Sequence, residues 1–128
     1  MSSSDDETYA IIGCAMRVHN ALGPGLREKP YENALVIDLR MNGFDPDAQR
    51  GYPIRYLDFV VGDCVPDITV NGRILVEVKS VEGLGDGELS QMLNYLRISE
   101  LKIGLIINFR NSKIEWRRVV GGNAEAEK

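Results

Sequence analysis

The chain has 128 residues, enough for one domain with a real core, and 44% apolar with 27% charged residues is the balance of an ordinary globular protein. A net charge of −4 excludes a coat that grips nucleic acid by neutralising phosphates alone, yet it leaves room for carboxylates that recruit a divalent cation and so invert the local charge. No apolar run approaches the roughly 18 residues of a membrane span, and the acidic start is unlike a secretory signal, so a cytoplasmic location with no membrane contact is expected.

The two cysteines, Cys14 and Cys64, have no CxxC partner or neighbouring histidine, and each reads as a buried free thiol. In chain order, residues 1–4 read as a tail. A helix capped by Asp5 or Asp6 follows, with Tyr9, Ile11, Ile12, Ala15, Met16, Val18 and Leu22 at near-helical spacing, and it stops at Gly23-Pro24-Gly25. His19, the only histidine, falls in its last turn and reads as a structural residue beside exposed carbonyls.

The second helix runs from about Arg27 to Met41, with Pro30 tolerable in its first turn and Tyr31, Ala34, Leu35 and Leu39 along its apolar stripe. From Phe44 the period changes. Tyr52–Phe59 reads as a strand that turns near Asp58 or Gly62-Asp63, and two β-rich runs follow within Val65–Lys79. After a Gly-rich loop, a helix from about Asp86 to Ile98 carries Leu89, Met92, Leu93 and Leu96. The apolar run Lys102–Asn108 suits a strand buried on both faces, and Lys113–Val120 is an alternating final strand. Residues 121–128 read as a disordered tail, which leaves one domain over 5–120. The predicted order, ααβββαββ, implies an α/β or α+β fold with one mixed sheet flanked by helices.

Charged residues are depleted from half-buried strands, and an ionised carboxylate taken out of water is costly unless a cation answers it. Val65–Lys79 nevertheless carries Asp67, Glu77 and Lys79. Alternation puts Glu77 and Lys79 on one face, with Ile74, Val76 and Val78 on the other. Whether Asp67 joins Glu77 depends on the turn at Asn71-Gly72. A clean two-residue hairpin sets Asp67 opposite Val76, on the wrong face, whereas a three-residue loop or bulge shifts the register by one. The odd loop is predicted, and the shared site stands or falls with it. In that register Asp67 and Glu77 can hold Mg²⁺, and Lys79 can orient or deprotonate a water or stabilise charge developing on a phosphate.

Pro66-Asp67, a gap of nine residues, and Glu77-Val78-Lys79 resemble the bipartite motif of the PD-(D/E)XK nuclease superfamily. Gly25-Leu-Arg-Glu28-Lys-Pro-Tyr31 is similar to the G-x-x-E-x-x-Y string of its GxxExxY family, and Gln91-Met-Leu-Asn-Tyr95 resembles the Q-x-x-x-Y helix of its exonuclease-like branch. The resemblance implies a mixed sheet flanked by helices, Mg²⁺- or Mn²⁺-dependent hydrolysis of nucleic-acid phosphodiesters, Asp67 and Glu77 as metal ligands and Lys79 as the catalytic lysine. It brings in Glu28 as a further ligand, with Glu32 one turn along the same helix competing for that role.

On the later helix, Glu88, Gln91 and Tyr95 form a polar stripe. Gln91 can hold the attacking water and Tyr95 can donate to a phosphate. Arg27 and Lys29 adjoin the early acid as substrate contacts. The basic residues Arg110, Lys113, Arg117 and Arg118, with Trp116 among them, are read as charges that keep an edge strand from aggregating. The expected partner is nucleic acid, with DNA favoured over RNA; a helicase or other protein partner and a homodimer are also admitted. The competing reading is a non-catalytic nucleic-acid-binding or assembly module on the same scaffold.

Overall fold

A computed structural model describes residues 4–121. In chain order the elements are α1 (Ser4–Leu22), α2 (Glu28–Met41), β1 (Pro46–Ala48), β2 (Tyr52–Tyr56), β3 (Phe59–Cys64), β4 (Ile68–Val70), β5 (Ile74–Lys79), α3 (Asp86–Ser99), β6 (Ile103–Asn108) and β7 (Glu115–Val120). Five strands form a mixed sheet in the order β1-β4-β5-β6-β7, and β2 and β3 pair as a separate two-stranded sheet. Within the larger sheet β5 and β6 run parallel and the other neighbours antiparallel. The parallel pair requires a crossover, and α3 supplies it.

The sheet is covered on both sides. Ile74, Val76 and Val78 face α1 and α2, packing with Ile11, Ala15, Tyr31, Leu35 and Leu39. Leu75 and Ile106 face α3, packing with Met92 and Leu96, and the base of the β2–β3 hairpin joins them through Tyr52 and Cys64. Two-sided burial explains the unbroken apolar run of β6. The close approach of α3 explains Gly104, since a Cβ there would collide with the Met92 side chain.

The observed order, ααβββββαββ, has two strands more than the pattern predicted. β1 is three residues opening on Pro46, too short to register an alternation. The run read as one strand turns at Leu57-Asp58, the first of the two predicted places, and continues as β3. Val60 and Val61 are both exposed there, so no apolar–polar alternation marks it. Val65, read as part of the site-bearing strand, lies between β3 and β4.

Smaller corrections follow from packing. Ser4 begins α1 instead of ending a tail, and Gly121 donates its amide to the carbonyl of Lys102 at 2.8 Å instead of beginning one. The rest of both predicted tails, 1–3 and 122–128, lies outside the described residues. Tyr9, Met16, Leu22 and Leu93, placed on core stripes by spacing, are largely exposed. The stripe of α1 instead includes Thr8 and Cys14, which are buried. Both cysteines are free and buried. His19 is buried and donates from Nε2 to the carbonyl of Asn111 at 2.8 Å, a structural role. No helix among the described residues is long and apolar enough to cross a membrane.

Candidate active site

The turn between β4 and β5 sets the site. Asn71 and Gly72 take positive φ values of 55° and 66°, and the amide of Arg73 closes on the carbonyl of Val70 at 3.0 Å. Asn and Gly accept that left-handed conformation at least cost. Yet the strand pairing starts at Val70 with Ile74, so Arg73 is an extra loop residue. The pairs Ile68–Val76 and Thr69–Leu75 follow, and continuing the register sets Asp67 opposite Glu77. The odd loop predicted from the sequence is present, and the two carboxylates share the α3 side of the sheet.

Backbone amides hold both acids. The amide of Asp67 donates to Oε2 of Glu77 at 2.6 Å, and the amide of Val78 donates to Oδ2 of Asp67 at 2.8 Å. Burial raises the Glu77 carboxyl to about 8, and the neighbouring Asp67 charge adds to the rise. Burial also raises Asp67, with the charge of Glu32 contributing and the Val78 amide opposing. Two facing carboxyls in a poorly solvated place cannot both ionise cheaply. That donor chemistry fits a dication, since Mg²⁺ needs only one or two carboxylates and completes its shell with waters and phosphate oxygens. Among the described residues, no three His, Cys, Asp or Glu side chains converge as a ready ligand set.

Glu28 and Glu32 therefore separate. Glu32 is buried, accepts from Lys29 Nζ at 3.1 Å and from Gln49 Nε2 at 2.9 Å, and lies near enough to act on Asp67. Glu28 is exposed and accepts the Ser80 amide at 3.2 Å. It lines a cleft of about 400 Å³ with Arg27, Ser80 and Arg110, just beyond the end of β5. Lys29, predicted to contact substrate, is engaged with Glu32; Arg27 remains at the cleft.

From the other side, α3 presents Gln91 and Tyr95. Lys79 Nζ donates to Gln91 Oε1 at 3.1 Å. The Tyr95 phenol is raised by burial and then by the charge of Glu77, which keeps it a neutral donor. Glu88, the third member of the predicted stripe, instead accepts the Gly85 amide at 2.7 Å and closes the start of α3. Trp116 is half-buried, meets Tyr9 edge-on, and packs on the α1 side of the sheet.

Sequence reasoning missed Gln49. Its amide donates to the Asp67 carbonyl at 2.9 Å while its side chain holds Glu32, so it ties α2 to the carboxylate pair. Its φ of 61° is a contorted backbone that no local pattern announced. Cys64 was also missed as a neighbour: burial raises its thiol, and the charge of Glu77 adds to that.

The family model of the PD-(D/E)XK nuclease superfamily matches residues 5–119. The chain belongs to the PD-(D/E)XK nuclease superfamily. Nearly every element of this PD-(D/E)XK chain lies inside the match, from α1 to the penultimate residue of β7. The crystal structure of SSO0001 is similar in fold, with a TM-score of 0.58 at 16% identity, over 75% of this chain and 50% of that one. The PD-(D/E)XK chain thus spans half the length of that solved protein. No curated protein matches it.

Proposed function

We propose that the chain is a nuclease of the GxxExxY branch that hydrolyses phosphodiester bonds of nucleic acid, DNA in preference to RNA, with Mg²⁺ or Mn²⁺ as cofactor. The observation that carries this reading is the Asp67–Glu77 pair, held by backbone amides with Lys79 two residues along the same strand. Asp67 and Glu77 would hold the cation, with Glu32 in reserve through its position beside Asp67. When bound, the cation supplies Lewis acidity toward a phosphoryl oxygen and toward water.

The residues divide the remaining work. The oxygen of a water forms a bond to phosphorus while its proton passes to bulk solvent, and the bond from phosphorus to the leaving sugar oxygen breaks, that oxygen taking a proton from solvent. Gln91 fixes the Lys79 ammonium by accepting one of its N–H groups, which leaves its other N–H groups free to meet the water and a phosphate oxygen as negative charge develops. Tyr95, kept protonated by burial and by Glu77, donates to a non-bridging oxygen. Arg27, with Arg110 across the same cleft, suits the flanking backbone phosphate. A net charge of −4 provides little general grip on nucleic acid, which favours work alongside a helicase or other protein partner.

The test is cleavage of single- and double-stranded DNA and RNA by purified protein with Mg²⁺ or Mn²⁺, beside Asp67→Ala and Lys79→Ala. Cleavage by the wild type that both substitutions abolish supports the reading. Cleavage that survives both removes the assigned site. Metal-dependent stabilisation that Asp67→Ala eliminates, with no substrate cut, favours the non-catalytic binding module instead.

A further inference from the structure

The β2–β3 hairpin carries an apolar tip that nothing in the described chain covers. Tyr56, Leu57, Phe59, Val60 and Val61 are contiguous but for Asp58, and each is more than half exposed. At its base the hairpin is anchored, with Tyr52 and Cys64 packed against Leu75, Met92 and Leu96. Tyr56 pairs directly with Phe59, so the two rings share one face of the hairpin. Leu57, at the turn, holds a φ of 55° while 74% exposed. A turn position of that kind ordinarily takes Gly, Asn or Asp. An exposed leucine there has neither a conformational nor a burial reason within one copy.

We propose that this tip is the interface of a reversible, two-fold symmetric homodimer, with the hairpin tips of two copies packing side chain against side chain. Strand alternation puts Tyr56 and Phe59 on one face and Val60 with Arg55 on the other, so that, taking about 200 Å² for an aromatic and about 150 Å² for an aliphatic side chain, Tyr56 and Phe59 with Leu57 at the turn present roughly 380 Å² per copy. That lies within the range a monomer leaves exposed, and is about half of the ~800 Å² per partner of a standard interface. An area of that size suits a weak dimer that dissociates on dilution.

Charge selects the occupant. The tip bears Arg55 and Asp58, and Asp63 lies farther along β3. Arg55 and Asp58 cancel, so the tip offers a polyanion no net attraction and does not repel its own rotated copy. The pairing shifts register between Ile54 and Arg55, which leaves Val61 as an extra residue in β3. A bulge of this kind bends the strand and blunts its edge. The copies therefore meet through side chains, not by adding strand to strand.

Sedimentation velocity of the full chain, from micromolar to submillimolar concentration, tests the proposal. The wild type should pass reversibly from monomer to dimer. Phe59→Arg should remain monomeric throughout. Leu57→Asn, which suits the positive φ and so leaves the hairpin at least as well folded, should weaken dimerisation by at least about tenfold, with an unchanged circular-dichroism spectrum. A wild type that stays monomeric over the whole range, or a dimer indifferent to both substitutions, would overturn it.

Discussion

Asp67 and Glu77 are locked together through the backbone: the Asp67 amide donates to Glu77 Oε2 at 2.6 Å, while Asp67 Oδ2 takes the amide of the next residue, Val78, at 2.8 Å. Each acid is thus oriented by a backbone amide of the segment that carries the other. That arrangement places two mutually repelling groups in a poorly solvated spot. The consequences are measurable.

The first concerns pH. Burial, reinforced by Asp67, holds the Glu77 carboxyl at about 8 against 4.5 for the free side chain. The proton is bound more tightly in the folded chain than in the unfolded one. This contribution to stability is therefore complete below about pH 4.5 and is lost as the pH rises to about 8. Urea unfolding in the presence of a chelator should show stability falling across that window, by an amount on the order of a few kcal/mol. Glu77→Gln should flatten the slope, and Mg²⁺ or Mn²⁺ should stabilise the wild type more at the alkaline end than at the acid end. A flat profile in chelated wild type would contradict the arrangement.

Lys79 and Gln91 are joined by a hydrogen bond, and under the proposed reaction their losses should differ. Lys79→Met keeps the aliphatic stem and removes the charge, and turnover should fall by at least about a hundredfold. Gln91→Ala leaves the ammonium in place but unanchored, and a loss of about tenfold is expected, mostly in kcat. Mn²⁺ affinity measured by calorimetry should change little in either. A Lys79→Met protein that cuts at the native rate would remove the lysine from the chemistry.

Glu32 and Glu28 can be ranked by the same titration. Glu32 influences Asp67 directly and is held by Lys29 and Gln49, so Glu32→Gln should weaken Mn²⁺ binding by about tenfold. Glu28 is occupied with the Ser80 amide, and Glu28→Gln should shift Mn²⁺ affinity by less than about threefold. The reverse ranking would move the third carboxylate to Glu28.

Arg73 tests the register. Arg73→Ala removes an exposed ion pair to Glu7 and should cost less than about 1 kcal/mol, leaving Mn²⁺ binding intact. Deleting Arg73 leaves Asn71-Gly72 as a two-residue turn closed by the same Val70–Ile74 pair, so Asp67 stays opposite Glu77. Mn²⁺ binding should then persist, as it does in the wild type. Binding that is absent from the wild type and gained only on the deletion would mean that the pairing in solution differs from the one described.

Much of this was readable before folding. Helix limits followed from local breakers such as Gly23-Pro24-Gly25 and from spacing, and β6 followed from an apolar run that only two-sided burial accommodates. β1 and the β2–β3 hairpin were less legible. Three residues cannot display a period, and an exposed apolar hairpin breaks the rule by which strands are recognised.

Of Val65–Lys79, the sequence by itself determined which charges were costly where they stood, and that Glu77 and Lys79 share a face, because strand alternation is a local geometric fact. It also posed the condition on the turn without meeting it. Only the tertiary structure decided that Arg73 is an extra loop residue and that Asp67 faces Glu77. It alone decided that Glu32, with Gln49 beside it, approaches the pair while Glu28 turns to Ser80. Those outcomes depend on how α2 and β1 seat against β4 and β5. Such contacts join residues far apart in the chain, and no local pattern encodes them.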